Sequence, residues 1–488
     1  MASARTWFRR ILTTIIALAV LGIVVVSVGW WKFLHAEHQV FDTPRDRFQY
    51  GSLGSELVAG IPYPIFMILP RVFPDLVEKY AMQGYGPKKP GWGGYDAFGL
   101  AWEQGQRLPA GFSIRRVGYD RLTINCALCH TATYRMSPDA DRVIVTGGPA
   151  HMMALRNLLD FLFAASHDAR FTAARLMPEI ALNVPLDWLD WQIYSFYLIP
   201  KTRLALQLAE SELKWTQTKP AWGPGRDDPF NLPKYNLLRE PLDDTVGNTD
   251  FPALWQMSQR EGRLLHSSGE AKTVYAVTAT SAFGIGSLPG HDFRDRNQWI
   301  VDYLTNLPAP KFPGPVDAAR AARGQAIFDA QCGSCHGANG ARTGTSIPLE
   351  DVGTDPGRAR SWTDDNAARM NRLTGALGMT GADLQGARGY IARPLTGLWL
   401  LGPYLHNGSV PTLADMLSPP DRRPKTFYRG YDILDLNSVG FVSTGTDAEA
   451  YGYRYDTTQT GNGNGGHSYG TALSPDDRRD LLEYLKTL

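Results

Sequence analysis

Cys126-Ala127-Leu128-Cys129-His130 and Cys332-Gly333-Ser334-Cys335-His336 repeat one pentapeptide, Cys-x-x-Cys-His, at two distant places in the chain. Thiols at i and i+3 reach the two vinyl groups of one porphyrin as thioethers, and the adjacent imidazole then falls under the iron as its proximal ligand. Cys126, Cys129, Cys332 and Cys335 are therefore read as haem-bearing cysteines and His130 and His336 as proximal ligands, giving two covalently bound haem c groups. The motifs use all four cysteines, so no thiol is left for a disulfide or a nucleophile. Two plainer readings compete. A structural zinc site would also use two Cys-x-x-Cys pairs, but roughly two hundred residues lie between Cys129 and Cys332, against the ~15–20 usual for such a site. A pair of disulfides would suit an exported protein, yet it does not call for histidine after each second cysteine.

A chain of 488 residues suggests more than one domain. The formal net charge of +1 gives no reason to expect a nucleic-acid partner. From Ile11 to Trp31 the run ILTTIIALAVLGIVVVSVGWW carries no charge, and at ~1.5 Å per residue it spans the ~30 Å hydrocarbon core of a bilayer. Arg5, Arg9 and Arg10 precede it, so the positive-inside rule keeps residues 1–10 in the cytoplasm and sends the body across the membrane. A cleaved signal peptide is the alternative, against which stand the length of the run and the lack of an Ala-x-Ala-like site after it. The expectation is a single-pass inner-membrane protein with its body in the periplasm.

Taken in order, 11–31 reads as the anchor and 32–306 as an N-terminal haem domain with irregular extensions. The Pro-rich stretch 307–316 reads as a linker and 317–488 as a C-terminal cytochrome c domain. His35 and His38 read as solvated juncture residues. The breakers between Phe41 and Pro109, among them GYGPKKPGWGGYDAFG at 84–99, give no long period and read as irregular wrapping. HMMALRNLLDFLFAA at 151–165 reads as a core helix opened by His151. A further helix is expected near 203–214. Asp317 caps a helix that delivers Cys332 to its porphyrin, and Ser474-Pro475 opens the last helix, with Leu481, Leu482 and Leu485 as its apolar face. Few strand patterns are long enough to form a sheet. The fold class is mainly α: two cytochrome c-like haem domains with long loops behind one transmembrane helix.

Each proximal histidine leaves one coordination position. His or Met there gives a six-coordinate electron carrier, and a vacancy admits dioxygen or peroxide. For the second haem, His406, His467 and Met379 follow His336 and spacing does not choose among them. For the first, His151 and His266 are the available histidines.

ARPLTGLWLLGPYLHNGSVPTLADML at 392–417 resembles the C-terminal signature of bacterial dihaem cytochrome c peroxidases and their relatives. GPGRDDPFN at 223–231, DFPALW at 250–255, RPKTFYRGYD at 423–432 and NGGHSYGTALS at 464–474 bring the chain closer to the dihaem rubber oxygenases and related fatty-acid dioxygenases. The resemblance covers about residues 110 to 488. It implies a reactive haem on His130 and an electron-handling haem on His336, whose second ligand would be His467, with His406 as the alternative and otherwise placed between the haem domains. Relatives carry Trp-Asp-Gly where this chain has Ser267-Ser268-Gly269. An aromatic relay at that position is therefore in doubt, with Trp255, Trp299 or Trp399 as substitutes.

In the peroxidases a Gln and a Glu follow that Trp as distal acid–base groups, whereas the corresponding positions here are Val277 and Ser287. An apolar wall from SAFGIG at 281–286, with Phe251, Trp255 and Phe283, would suit dioxygen held beside an unsaturated apolar substrate. The reading is a haem-dependent oxygenase-like enzyme acting on such a substrate. Two alternatives remain: a peroxidase taking electrons from a small redox protein, a cytochrome c or cupredoxin, or a non-enzymatic electron carrier.

Overall fold

The computed structural model describes residues 2–82 and 94–488, so the breaker-rich stretch 84–93 falls outside the described residues. Helix α1 (Ala2–Phe33) contains the expected apolar run and is longer than it at both ends. Its most apolar 18-residue window, within Thr6–Phe33, has a mean hydropathy of 2.9, and none of that window is covered by the body.

The juncture after α1 is docked on the body. Strands β1 (Ile61–Pro62), β2 (Phe112–Val117) and β3 (Tyr119–Ile124) form an antiparallel sheet in the order β1-β3-β2. Ala36 bridges Val117, and the Gly118 amide at the hairpin turn donates to the His35 carbonyl at 2.7 Å. Gly118 has φ +76°, and a Cβ there would meet the Lys32 carbonyl, so this close approach needs glycine. The hairpin was not expected from the sequence.

Helix α2 (Tyr63–Val72) also departs from the expected irregular wrapping. Its segment YPIFMILPRV is apolar on nearly every face; eight of its residues are buried, six of them in the largest core cluster. Such a helix has no amphipathic period to read. Proline stands at its start, where the missing amide would be unpaired anyway.

Strands β4 (Thr131–Tyr134) and β5 (Val143–Thr146) pair directly after the first motif. Helix α3 (Leu155–His167) begins later than expected, so His151 and Met152 lie in the turn before it rather than on it. The helix expected near 203–214 is the last part of a longer rod: α4 (Trp188–Ile193), one π-turn (Tyr194–Leu198) and α5 (Ile199–Glu212). Helices α6 (Val274–Gly284) and α7 (Phe293–Asn306) pack on each other before the irregular stretch 307–317.

In the C-terminal part, α8 (Ala318–Gln331) is capped by Asp317, whose carboxylate accepts from the Ala319 and Arg320 amides. It lies across α9 (Pro475–Leu485), capped by Ser474. Gly324 makes the crossing possible, since a Cβ would run into the Asp480 carbonyl oxygen. Leu481 and Leu485 are buried and Leu482 is half-buried. The apolar clusters cross the Pro-rich stretch in both directions. Met379 and Ala382 belong with residues 254–304, and Ala132 and Trp255 with residues 328–485.

Candidate functional site

The β2–β3 hairpin delivers Asn125, whose Oδ1 accepts from the Ala127 amide while its Nδ2 donates to the Gly51 carbonyl at 2.9 Å. This starts the tight turn Cys126–Leu128 that carries the first cysteine. The second motif follows α8 directly, with Gly333–His336 as one further helical turn. In both motifs the histidine is held in the same way. His130 Nδ1 lies 2.8 Å from the Pro252 carbonyl, and His336 Nδ1 lies 2.8 Å from the Arg393 carbonyl. A carbonyl only accepts, so both rings carry the proton on Nδ1 and keep the Nε2 lone pair for a metal. Burial pushes the His130 imidazole down to about 4, which leaves it neutral at pH 7.

The cysteines have the opposite character from reactive thiols. Burial pushes Cys126 and Cys332 up to about 11, and it raises Cys129, beside Asp227, as well. Neither motif therefore presents the low-pKa thiolate of a redox Cys-x-x-Cys pair. Among the described residues no three His, Cys, Asp or Glu side chains gather as a metal-holding group.

Around the second motif the chain encloses a cavity of about 290 Å³ lined by Cys332, Cys335, His336, Tyr390, His406 and His467. The His467 ring faces His336 with centroids 6.0 Å apart. Two metal–nitrogen bonds of ~2.0 Å plus the ring radii need about this separation. Burial, followed by the neighbouring His336, pushes the His467 imidazole down to about 4, so it too is neutral.

His467 is positioned by its backbone. Its amide donates to the Val352 carbonyl at 2.7 Å, and its own carbonyl accepts from Arg423 Nη2 at 3.1 Å. The buried Arg423 guanidinium also donates to the Asn464 and Gly466 carbonyls, at 2.7 and 2.8 Å. Two separate sequence stretches, 423–432 and 464–474, thus form one clamp.

His406 lines the same cavity with a different task. The Tyr390 hydroxyl donates to the Asp355 carbonyl at 2.6 Å, so the 3.0 Å contact with His406 Nε2 has the imidazole donating. The two rings stack 4.1 Å apart. The His406 carbonyl accepts from the Asp250 amide and the Thr249 hydroxyl, which ties it to the N-terminal half. Met379 is buried with Tyr275 and Phe293, away from this cavity.

Among the described residues no aromatic ring contacts His130 as His467 contacts His336, although His266 lies near enough for the charge of His130 to lower it further. His151 stacks on Phe441 at 4.0 Å and binds the Pro149 carbonyl. The three aromatics expected to form one distal wall are dispersed. Phe251 belongs to the cluster that touches Cys129, and Phe283 to the cluster that touches Cys126. Trp255 packs in a third cluster with Trp399, its Nε1 donating to the Thr396 carbonyl at 2.8 Å. Trp299 is covered by Arg47, and Trp399 Nε1 donates to the Pro310 carbonyl. The cavity carries Ser267, Tyr390 and His406 instead of a tryptophan.

Sequence reasoning missed a buried polar cluster between the two motifs. Arg358 stacks on Phe230 at 4.5 Å and faces Glu270 at 3.7 Å, and Phe230 meets His266 edge-on at 6.5 Å. Burial, then the charge of Arg358, pushes His266 down to about 3, with His130 a further contributor. Burial, then Asp228, pushes the Asp227 carboxyl up to about 7. Arg358 Nε and Nη1 are buried with no hydrogen-bond partner among the described residues, and burial lowers both Arg260 and Arg393, the charge of Arg393 lowering Arg260 further. Guanidinium groups withdrawn from water with unpaired donors are costly even beside one carboxylate. They fit carboxylate-bearing prosthetic groups, and the two propionates of a haem are such carboxylates. No sequence pattern announces this cluster, because its members come from four separate segments, at 227–230, 260–270, 358 and 393.

Comparison with known proteins agrees with the C-terminal chemistry. Residues 389–428 match the family described as RoxA-like, cytochrome c-like, and residues 321–393 match cytochrome c. The uncharacterized protein y4iM of Sinorhizobium fredii (strain NBRC 101917 / NGR234) is 29% identical over 283 residues, covering 49% of this chain and 64% of that relative. The uncharacterized protein y4iJ of the same strain is 30% identical over 253 residues, covering 38% of this chain and 42% of the relative. The chain thus spans less than two thirds of the length of either relative. From residue 321 to residue 428 this chain carries a cytochrome c domain with a RoxA-like stretch, and the cofactor of such a domain is covalently bound haem c.

Proposed function

We propose that this chain is a membrane-anchored, periplasm-facing dihaem c-type cytochrome oxidoreductase. It acts on dioxygen and an unsaturated apolar substrate at the His130 haem, while the His336 haem handles electrons. The observation that carries this reading is an asymmetry. His467 faces His336 across 6.0 Å, whereas no ring is in contact with His130 among the described residues, His266 being near it only through its charge. When bound, haem c supplies an iron that transfers electrons if six-coordinate and binds dioxygen or peroxide if one position is open.

The chain's own residues supply the rest. The Pro252 carbonyl fixes the His130 tautomer. Phe251 and Phe283 are apolar neighbours of the cysteines that hold the porphyrin. Arg260, Arg358 and Arg393 supply positive charge that would suit haem propionates. Low-temperature EPR of the oxidised protein tests the asymmetry: one low-spin and one high-spin signal are expected, with cyanide converting only the second. Two low-spin signals that neither cyanide nor, after reduction, CO perturbs would make the chain an electron carrier and sink this reading.

One observation favours a second reading, reduction of hydrogen peroxide with electrons from a small cytochrome or cupredoxin. Splitting peroxide requires a group that moves a proton between its two oxygens. Asp227, raised to about 7 beside Cys129, is such a group even though Val277 and Ser287 are not. Oxygen uptake on polyisoprene or unsaturated lipid, without peroxide consumption by the reduced protein, separates the two.

A further inference from the structure

The rod of α4, the π-turn and α5 leaves its outer side apolar and uncovered. Trp188 is 76% exposed, Phe196 79%, Leu204 56% and Leu208 58%, with Trp191 and Tyr197 exposed beside them. Among the exposed residues from 188 to 209 only Lys201 is charged. Tyr197, Lys201, Leu204 and Leu208 fall on one helical stripe, and the π-turn adjusts the register between this stripe and the two tryptophans. Exposed apolar side chains are ordinary when scattered, and a contiguous patch of this kind marks a contact surface.

The neighbouring structure identifies what covers it. Lys32, at the foot of α1, binds Asp190 at 2.5 Å and Asp187 at 3.3 Å, immediately before Trp188. Phe33 meets Tyr197 edge-on at 5.7 Å. Arg121 Nη2 donates to the Phe33 carbonyl at 3.0 Å and the Gly118 amide to the His35 carbonyl. The end of α1 is therefore fixed against both the hairpin and the rod, and the body does not swing freely below it. Wherever the bilayer surface meets Trp30 to Phe33, it also meets the Trp188–Tyr197 end of the rod. Tryptophan and tyrosine with leucine and phenylalanine, and a single lysine among them, is the composition of a helix lying in the membrane interface.

We propose that the 188–208 rod is a second membrane contact, an interfacial helix lying in the outer leaflet beside α1 and holding the body in one orientation on the bilayer. This rests on the anchored reading of α1, and the test separates the two. All four native cysteines belong to haem motifs, so in the dihaem protein a single added cysteine is the only site for a nitroxide label. Full-length Leu204→Cys, Leu208→Cys, Val24→Cys and Leu242→Cys proteins are labelled and reconstituted at low density in phosphatidylcholine–phosphatidylglycerol vesicles. Collision with oxygen and with a water-soluble nickel chelate is then measured by EPR. Haem absorbance confirms that each variant is folded, and the unsubstituted chain gives the labelling background.

The expected result is an oxygen-to-nickel ratio at 204 and 208 several-fold above that at the exposed loop residue 242 and below that at 24. Lipid-like values at 24 with values at 204 and 208 equal to 242 would overturn the interfacial contact and leave the anchor standing. Water-like values at 24 would overturn both. Exclusion of both reagents at 204 and 208 would mean that protein, a second copy or a partner, covers the rod, and would also overturn the proposal.

Discussion

His467 is placed by groups that never touch its ring. Its φ of 46° lies in the left-handed region, and the conformation is imposed by Val352 on one side and Arg423 on the other. Gly466 before it lies so close to the Gly353 backbone that no Cβ fits. The ring is thereby directed across the cavity at His336 without needing a hydrogen bond of its own. His467→Ala is expected to convert the C-terminal haem from low-spin to high-spin in the oxidised EPR spectrum, with the other haem unchanged. His406→Ala is expected to leave that haem low-spin, because His406 Nε2 is committed to Tyr390; the reverse pattern would assign the ligand to His406. At this scale the sequence was readable wherever chemistry depends on local spacing, as in the two pentapeptides. Arg423, Arg358, Asp227 and His266 act through the fold, and no spacing rule connects them.

At the scale of elements, end signals were reliable and apolar period was not. Asp317 before α8 and Ser474-Pro475 before α9 mark both helix starts correctly, since a side-chain oxygen there satisfies otherwise unpaired amides. Helix α2 went unread because its apolar residues surround the axis, and the β2–β3 hairpin because its strands are short and its turn rests on one residue, Gly118. The α8–α9 crossing tests how tightly the second haem site is built. Gly324→Ala would add ~1 kcal/mol of helix propensity to α8. A methyl group facing the Asp480 carbonyl and the Tyr484 Cβ at 2.9 Å outweighs that gain, since overpacking costs roughly 1–3 kcal/mol. The variant is expected to be destabilised by about 1 kcal/mol in denaturant unfolding and to lose C-terminal haem absorbance first. An unchanged unfolding midpoint would show that the two helices separate freely.

The whole molecule is held together by pairs that cross from one half to the other, many of them within the stretches that carried the resemblance. Arg226 of the 223–231 stretch binds Asn462 at 2.8 Å, and Arg429 of the 423–432 stretch binds Asp250 at 2.9 Å. Asp432, fully buried, takes Arg135 at 2.8 Å and Arg142 at 2.7 Å from the segment that follows the first Cys-x-x-Cys-His motif. A linker reading of 307–316 therefore describes the covalent path but not the packing, because residues on both sides of it share cores. Burial by itself pushes the Asp432 carboxyl up, but Arg142 and Arg135 outweigh it and hold the group below its usual value. A carboxylate lowered in the folded state contributes stability above its unfolded pKa of about 3.9, and that contribution is lost as pH falls through the folded value. Asp432→Asn removes the charge while two guanidinium groups stay partly buried, and is expected to cost about 3 kcal/mol near pH 7. Urea unfolding of both proteins from pH 7 down to pH 3 checks this: the gap between them should be full at neutral pH and narrow below about pH 4. A gap that stays constant with pH would mean that Asp432 acts through hydrogen-bond geometry alone, and that its charge does not join the halves.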